Sequence, residues 1–234
     1  MLDINKTLDL VKLKFFNEWL YTSHLYDEGE STLHKRITEE VIKTYVDPLH
    51  LHTNANILDV GCGNGYFLDE MKDRGFKNVT GITLSEINAK QCRERGHNVK
   101  EYDPTFLPQS DGFTDESVDF IFLRHTLHHS PYPIFNLIEY NRLLKQTSNP
   151  ATSGKLYIEV PAPDCERQHE FNPNHYSILG KAQISALLMR TGFKINQFNE
   201  IEFDLTVASG EEEVTVKEKY YCVLAVKQNP LDIK

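Results

Sequence analysis

Apolar residues follow one periodicity before about residue 54 and another after it. In the first part Leu8, Val11, Phe15 and Trp19 recur at helical spacing. A second helix is expected from Ser31 or Thr32 through Ile37, Val41 and Ile42 to Pro48. Beyond residue 54, short apolar runs alternate with amphipathic stretches. Strands are predicted at 57–60, 79–83, 98–102, 118–124 and 155–160, with helices near 66–73, 86–95 and 134–145 between them. Ser85 suits the N-cap of the middle helix and Gly96 its C′ position, and a further helix over 180–191 stops at Gly192. Two closing strands, around 194–207 and 214–227, alternate apolar and polar positions across a turn at Gly210-Glu211-Glu212-Glu213. Regular strand–helix alternation implies a parallel sheet with right-handed crossovers, to which the last two strands add an antiparallel unit.

Composition narrows the setting. A chain of 234 residues with 40% hydrophobic and 25% charged residues suits one α/β domain and a short accessory segment. The longest apolar runs fall far short of the ~20 residues that span a bilayer, and Met1-Leu2-Asp3-Ile4-Asn5-Lys6 lacks the regions of a signal peptide. Cys62, Cys92, Cys165 and Cys222 form no C-x-x-C pair and no disulfide framework, so a reduced cytoplasmic location is expected. A net charge of −9 argues against a nucleic-acid partner, because phosphate contacts require clustered Lys and Arg.

The densest chemical signal is Ile57-Leu58-Asp59-Val60-Gly61-Cys62-Gly63-Asn64-Gly65. A buried strand runs into three alternate glycines and then a helix start, which is the layout of a nucleotide-type pocket. A nicotinamide dinucleotide site would have G-x-G-x-x-G, whereas the spacing here is G-x-G-x-G. Asp59, ahead of the first glycine, would repel a pyrophosphate and suits a ligand with a cationic end. A tight strand–helix turn without a ligand is the plain structural alternative. Asp59-Val60-Gly61-Cys62-Gly63-Asn64-Gly65 resembles motif I of the class I S-adenosylmethionine (SAM)-dependent methyltransferases, D-x-G-x-G-x-G, at every fixed position.

The resemblance covers roughly residues 55–227 and implies a Rossmann-like α/β fold: a seven-stranded methyltransferase sheet flanked by helices, with an N-terminal helical extension. It divides the chain into a helical cap over 1–53 and a SAM-binding domain over 54–234, with Trp19, Tyr21 and Tyr26 of the cap expected to cover the pocket. It implies that Asp59, Gly61, Cys62, Gly63 and Gly65 hold the methionine end of SAM. Gly81-Ile82-Thr83-Leu84-Ser85 then falls at the ribose, but Thr83 stands where many relatives carry an acid, so Ser85, Glu86 or Asn88 are candidate substitutes. Asp103-Pro104 resembles the segment that meets adenine, with Asp103 accepting from its amino group. Gln109-Ser110-Asp111-Gly112 interrupts the usual pattern there and is expected to form an extra loop beside the adenine. Arg124, at the end of the fourth strand, falls where backbone meets the methionine part. Asp115 and Asp119 read as turn and strand-entry residues, and Glu139 and Arg142 as a structural pair on one helix.

Methyl transfer needs in-line approach of a nucleophile, exclusion of water and, for some acceptors, a base. His125, His128 and His129 stand at i, i+3 and i+4, so a helical turn would present them together. Three readings stand side by side: His128 or His129 serves as the base, the three hold a metal, or they cap and pack. No metal centre is assigned on sequence, since the acidic ligands that certain quinone-pathway relatives carry in this region are missing. The segment 160–177 is rich in polar and aromatic groups, and His125, Arg167, His175 and Tyr176 are the candidate acceptor-binding residues. The expected activity is methyl transfer from SAM to O, N or C of a small or medium polar acceptor. A catalytically silent SAM-binding scaffold and a nicotinamide-dependent oxidoreductase are the alternatives. DNA methylation is disfavoured because Leu123-Arg124-His125 replaces N/D-P-P-Y and no Pro-Cys nucleophile is present there.

Overall fold

A computed structural model of the protein describes residues 31–209 and 212–228, with the side chains of 207–213 excepted. Helix positions before residue 31, including Trp19, Tyr21 and Tyr26, lie outside the described residues, as does part of the 210–213 turn. The strands are β1 (Asn56–Val60), β2 (Asn78–Thr83), β3 (Asn98–Glu101), β4 (Phe120–Arg124), β5 (Lys155–Pro161), β6 (Phe193–Ser209) and β7 (Glu212–Lys227). They form one sheet in the order β3-β2-β1-β4-β5-β7-β6, with β1 to β5 parallel and β7 antiparallel to both β5 and β6. Helices α1 (Thr32–Val41), α2 (Tyr66–Asp73), α3 (Glu86–Glu94), α4 (Pro133–Leu143) and α5 (Lys181–Arg190) flank it. Every strand and helix expected from residue 31 onward is present, with ends shifted by up to about two residues.

Local chemistry sets these boundaries. Ser85 caps α3 by accepting the Asn88 N–H at 3.0 Å, and Gly96 follows its end at φ +87°. Ser31 caps α1 through the His34 N–H at 3.2 Å, and the helix then widens into a π-helical turn over Ile42–Val46 before Pro48 ends it. Alternation along β4 sends Phe120 and Phe122 to one face of the sheet and Ile121 and Leu123 to the other. On the first face Phe122 stacks between Phe67 (centroids 4.0 Å apart) and Tyr157 (5.2 Å), and Val41, Ile42 and Tyr45 complete the layer. On the second, Leu137, Tyr140 and Leu188 from α4 and α5 cover Ile121, Leu123 and Ile158. Strand order reverses between β1 and β4, which opens a crevice beyond their carboxyl ends.

Candidate active site

The glycine turn lies at that crevice, with Gly61, Gly63 and Gly65 at φ +75°, +47° and +80°. The amides of Gly61 and Cys62 both donate to the Ile82 carbonyl, at 2.8 and 2.9 Å, so this part of the turn is pinned to β2. A Cβ on Gly61 would overlap Thr126 Oγ1 and lie 2.8 Å from its Cγ2. On Gly65 it would lie 2.7 Å from Cys92 Sγ of α3. The glycines therefore let β4 and α3 close on the turn as well as permitting its backbone.

Next to the turn is a cavity of about 420 Å³, within the usual range for small-ligand sites. One end is lined by Asp59 (3% exposed), Gly61, Gly63, Thr83, Ser85 and Asn88. The Thr83 hydroxyl accepts the Ser85 N–H at 3.1 Å, so it holds the loop after β2. Tyr102 and Pro104 form an adjoining wall. Asp103 sits buried between them, where its Oδ1 accepts the Thr105 N–H at 2.9 Å. The 109–112 insertion does not border the cavity, contrary to expectation. It forms a 3-10 turn whose Asp111 carbonyl is taken by Lys100. Arg142 fastens the 103–115 loop to α4, reaching Glu139, Asp115 and the carbonyls of Leu107 and Phe113, as the helix pairing implied.

Three histidines on one helical turn are not what forms. His125 is left-handed at φ +54° and precedes the 3-10 turn Leu127–His129, so it stands outside that turn and its ring meets only the edge of His128, at 6.3 Å. Its Nε2–H donates to Glu159 Oε1 at 2.6 Å, and the ring stacks on Tyr220 at 4.7 Å. Arg124 donates to the same oxygen at 2.8 Å and to Thr38 of α1 at 3.3 Å, while the Tyr157 hydroxyl donates to Glu159 Oε2 at 2.8 Å. Burial opposes charge on Glu159, but Arg124 and His125 outweigh it and hold the carboxyl down at about 2. Glu159 thus offsets the positive charge of Arg124, which leaves Asp59 as the acidic side chain lining the cavity among the described residues. A cationic ligand fits that balance.

His128 and His129 meet His175 instead. Their ring centroids lie 4.2 Å apart, with His175 4.4 Å from the first and 4.9 Å from the second. Segment 174–177 is strapped onto this turn by the Tyr176 and Ser177 amides, which donate to the His128 carbonyl at 2.9 and 3.0 Å. His129 Nδ1–H donates to Asn174 O at 2.8 Å and His175 Nδ1–H to His169 O at 2.9 Å. Burial lowers the pKa of all three rings, well below the usual value for His128 and to about 4 for His175, so all are neutral near pH 7. Of the candidate bases, His129 borders the cavity and His128 does not.

Tyr176, His125 and Arg124 also line the cavity, whereas Arg167 is drawn aside to the fully buried Glu218 at 2.6 Å. His34 and Thr38 of α1 line it as well, and Tyr66 ties the start of α1 to the glycine turn by accepting the Ser31 N–H at 2.5 Å. The sequence reading did not single out Glu159, Thr126, Tyr102, Asn174, His34 or Thr38. Glu159 did leave a trace, as a lone carboxylate inside the apolar run Tyr157-Ile158-Glu159-Val160, which demands a buried partner.

A family model described as a methyltransferase domain matches residues 33–197. The chain is 25% identical over 178 residues to 27-O-demethylrifamycin SV methyltransferase of Amycolatopsis mediterranei (strain S699), covering 73% of this chain and 65% of that protein. It is 29% identical over 127 residues to tRNA U34 carboxymethyltransferase of Shewanella sp. (strain W3-18-1), covering 51% of this chain and 34% of that one. The chain thus spans less than two thirds of the length of either relative. A solved SAM-dependent methyltransferase from Archaeoglobus fulgidus shares the fold with a TM-score of 0.62 at 18% identity, over 82% of this chain and 94% of that one.

Proposed function

The chain belongs to the class I SAM-dependent methyltransferases, and on that basis we propose that it methylates a small or medium polar acceptor bound in the cavity beside the glycine turn. One observation carries the reading: a single cavity is bordered at one end by Asp59, the glycine turn and Ser85, and at the other by His125, His129 and Tyr176. When bound there, SAM supplies an electrophilic methyl group on a sulfonium. Asp59 receives the α-amino group, Ser85 and Asn88 take the ribose in place of the acid that Thr83 does not provide, and Tyr102 and Pro104 flank the adenine with Asp103 at its edge. Backbone at Arg124 meets the methionine part. His129 and Tyr176 border the acceptor space on the side opposite α1, which helps keep water from the transferred methyl.

A compact acceptor fits better than a nucleic acid. α1 and the 174–177 strap line the cavity, and the net charge is −9. Incubation with methyl-labelled SAM, separately with a panel of small hydroxylated and amino compounds, bulk tRNA and denatured protein, tests this. Label in the small-molecule fraction is expected. Label entering only tRNA or protein would overturn the acceptor class.

A further inference from the structure

We propose that His128, His129 and His175 form a binding site for a divalent metal of the zinc–cobalt type, at the acceptor end of the cavity. One ligand-capable atom from each residue lies within 4.8 Å of the other two. Bonds of ~2.0–2.1 Å at a tetrahedral centre place nitrogen ligands roughly 3.3 Å apart, so modest ring rotations complete the set.

The hydrogen bonds already sort the ring nitrogens. His129 and His175 each give Nδ1–H to a main-chain carbonyl, of Asn174 and His169 respectively, which leaves the lone pair on Nε2. A carbonyl on the far nitrogen is the usual orienting partner of a metal-bound imidazole. His169 is itself fixed, its Nε2–H donating to Glu218 Oε2 at 2.8 Å, so the strap carrying His175 is anchored.

The third ring gives the independent observation. His128 is 3% exposed, and its buried Nδ1 has no hydrogen-bond partner among the described residues. Burying a polar atom without a partner is unfavourable. Phenylalanine or leucine would fill the space without that cost, so packing alone does not explain an imidazole here. A ligand that engages it does.

A second cluster, Cys165, His169 and Glu218, also brings ligand-type atoms together. Its members already satisfy one another. Glu218 accepts from His169 through one oxygen and from Arg167 through the other, and the guanidinium would repel a cation. Three uncharged imidazoles lack that obstacle, and imidazole sets favour zinc, cobalt or nickel over magnesium. Three protein ligands leave one position of a tetrahedral ion open. With His129 bordering the cavity, that position suits an oxygen or nitrogen of the acceptor. This role rests on the methyltransferase reading, whereas metal binding itself is measured independently of it.

The test uses tag-free full-length protein, Co2+ as the probe and visible absorption as the readout. One equivalent of Co2+ is expected to give ligand-field bands of a nitrogen-ligated ion, without a thiolate charge-transfer band. His175→Ala is expected to weaken binding by at least about 100-fold while S-adenosylhomocysteine binding, titrated on the same sample, persists. His129→Gln supplies the same comparison should His175→Ala fail to fold. Absence of Co2+ binding would overturn the site, as would binding that both variants leave unchanged. A thiolate band would assign the ion to a cysteine, such as Cys165 of the second cluster, and overturn it equally. Failure of the wild type to bind S-adenosylhomocysteine would instead count against the cofactor reading and leave the metal result to stand on its own spectrum.

Discussion

Replacing Gly61 by alanine is expected to weaken S-adenosylhomocysteine binding by at least about 100-fold and to destabilise the fold by about 2–5 kcal/mol. Two separate costs add. The residue sits at φ +75°, where an L side chain is strained by roughly 1–2 kcal/mol. The new Cβ would also run into Thr126, which cannot swing away. Its branched side chain is fixed at both ends of its reach, the hydroxyl donating to Val60 O at 2.9 Å and lying 3.1 Å from Arg124 O. Relief must come from separating β1 and β4 at their carboxyl ends, where the cavity opens. Thr126→Gly, added to Gly61→Ala, should recover the steric part and leave the backbone strain. Urea denaturation and calorimetric titration of the single and double variants read both quantities. Near wild-type stability and binding for Gly61→Ala would show that the turn and the end of β4 are not in contact.

The second large effect concerns Glu159, which holds Arg124 and His125 at the cavity floor. Glu159→Ala leaves the guanidinium, 13% exposed at its side chain, facing a space without its counter-charge. Removing one partner of a buried pair costs about 3–5 kcal/mol. Glu159→Gln keeps the shape and isolates the charge. The folded carboxyl titrates at about 2 against an ordinary 4.5. Its contribution, roughly 3 kcal/mol, is complete above the unfolded value and is lost as pH falls from about 4.5 toward 2. Wild-type protein should therefore lose stability steeply over that window, whereas Glu159→Gln should be weaker at pH 7 and change less below pH 4.5. Urea midpoints collected from pH 7 to 2.5 separate the two. Parallel curves would show that Glu159 does not carry the acid limb.

What could be read from sequence, and what could not, follows from how local each signal is. Periodicity and caps gave the elements, because Ser85, Gly96 and the alternation along β4 act within a few residues. The D-x-G-x-G-x-G turn was legible for the same reason. Its companion Thr126 was not, since it reaches Gly61 across 65 positions and carries no motif of its own. Glu159 meets Arg124 and His125 only through the parallel register of β4 and β5. His125 was misread because three histidines at i, i+3 and i+4 suggest a helical turn, whereas strand β4 ends immediately before it and the backbone turns left-handed. Its place in the cluster goes to His175, which the strap after β5 delivers from 46 positions beyond His129. Arg167 looked free for an acceptor until β7 supplied Glu218, buried and in need of a cation.

Calorimetric titration of S-adenosylhomocysteine into wild-type protein and Asp59→Ala is the most direct test of the central claim, that the cavity beside the glycine turn is the SAM site. Expected is one ligand per chain for the wild type and a loss of about 10–100-fold in affinity for the variant, with the variant still folded by circular dichroism. No binding to the wild type, or an Asp59→Ala isotherm that overlays it, would contradict the assignment.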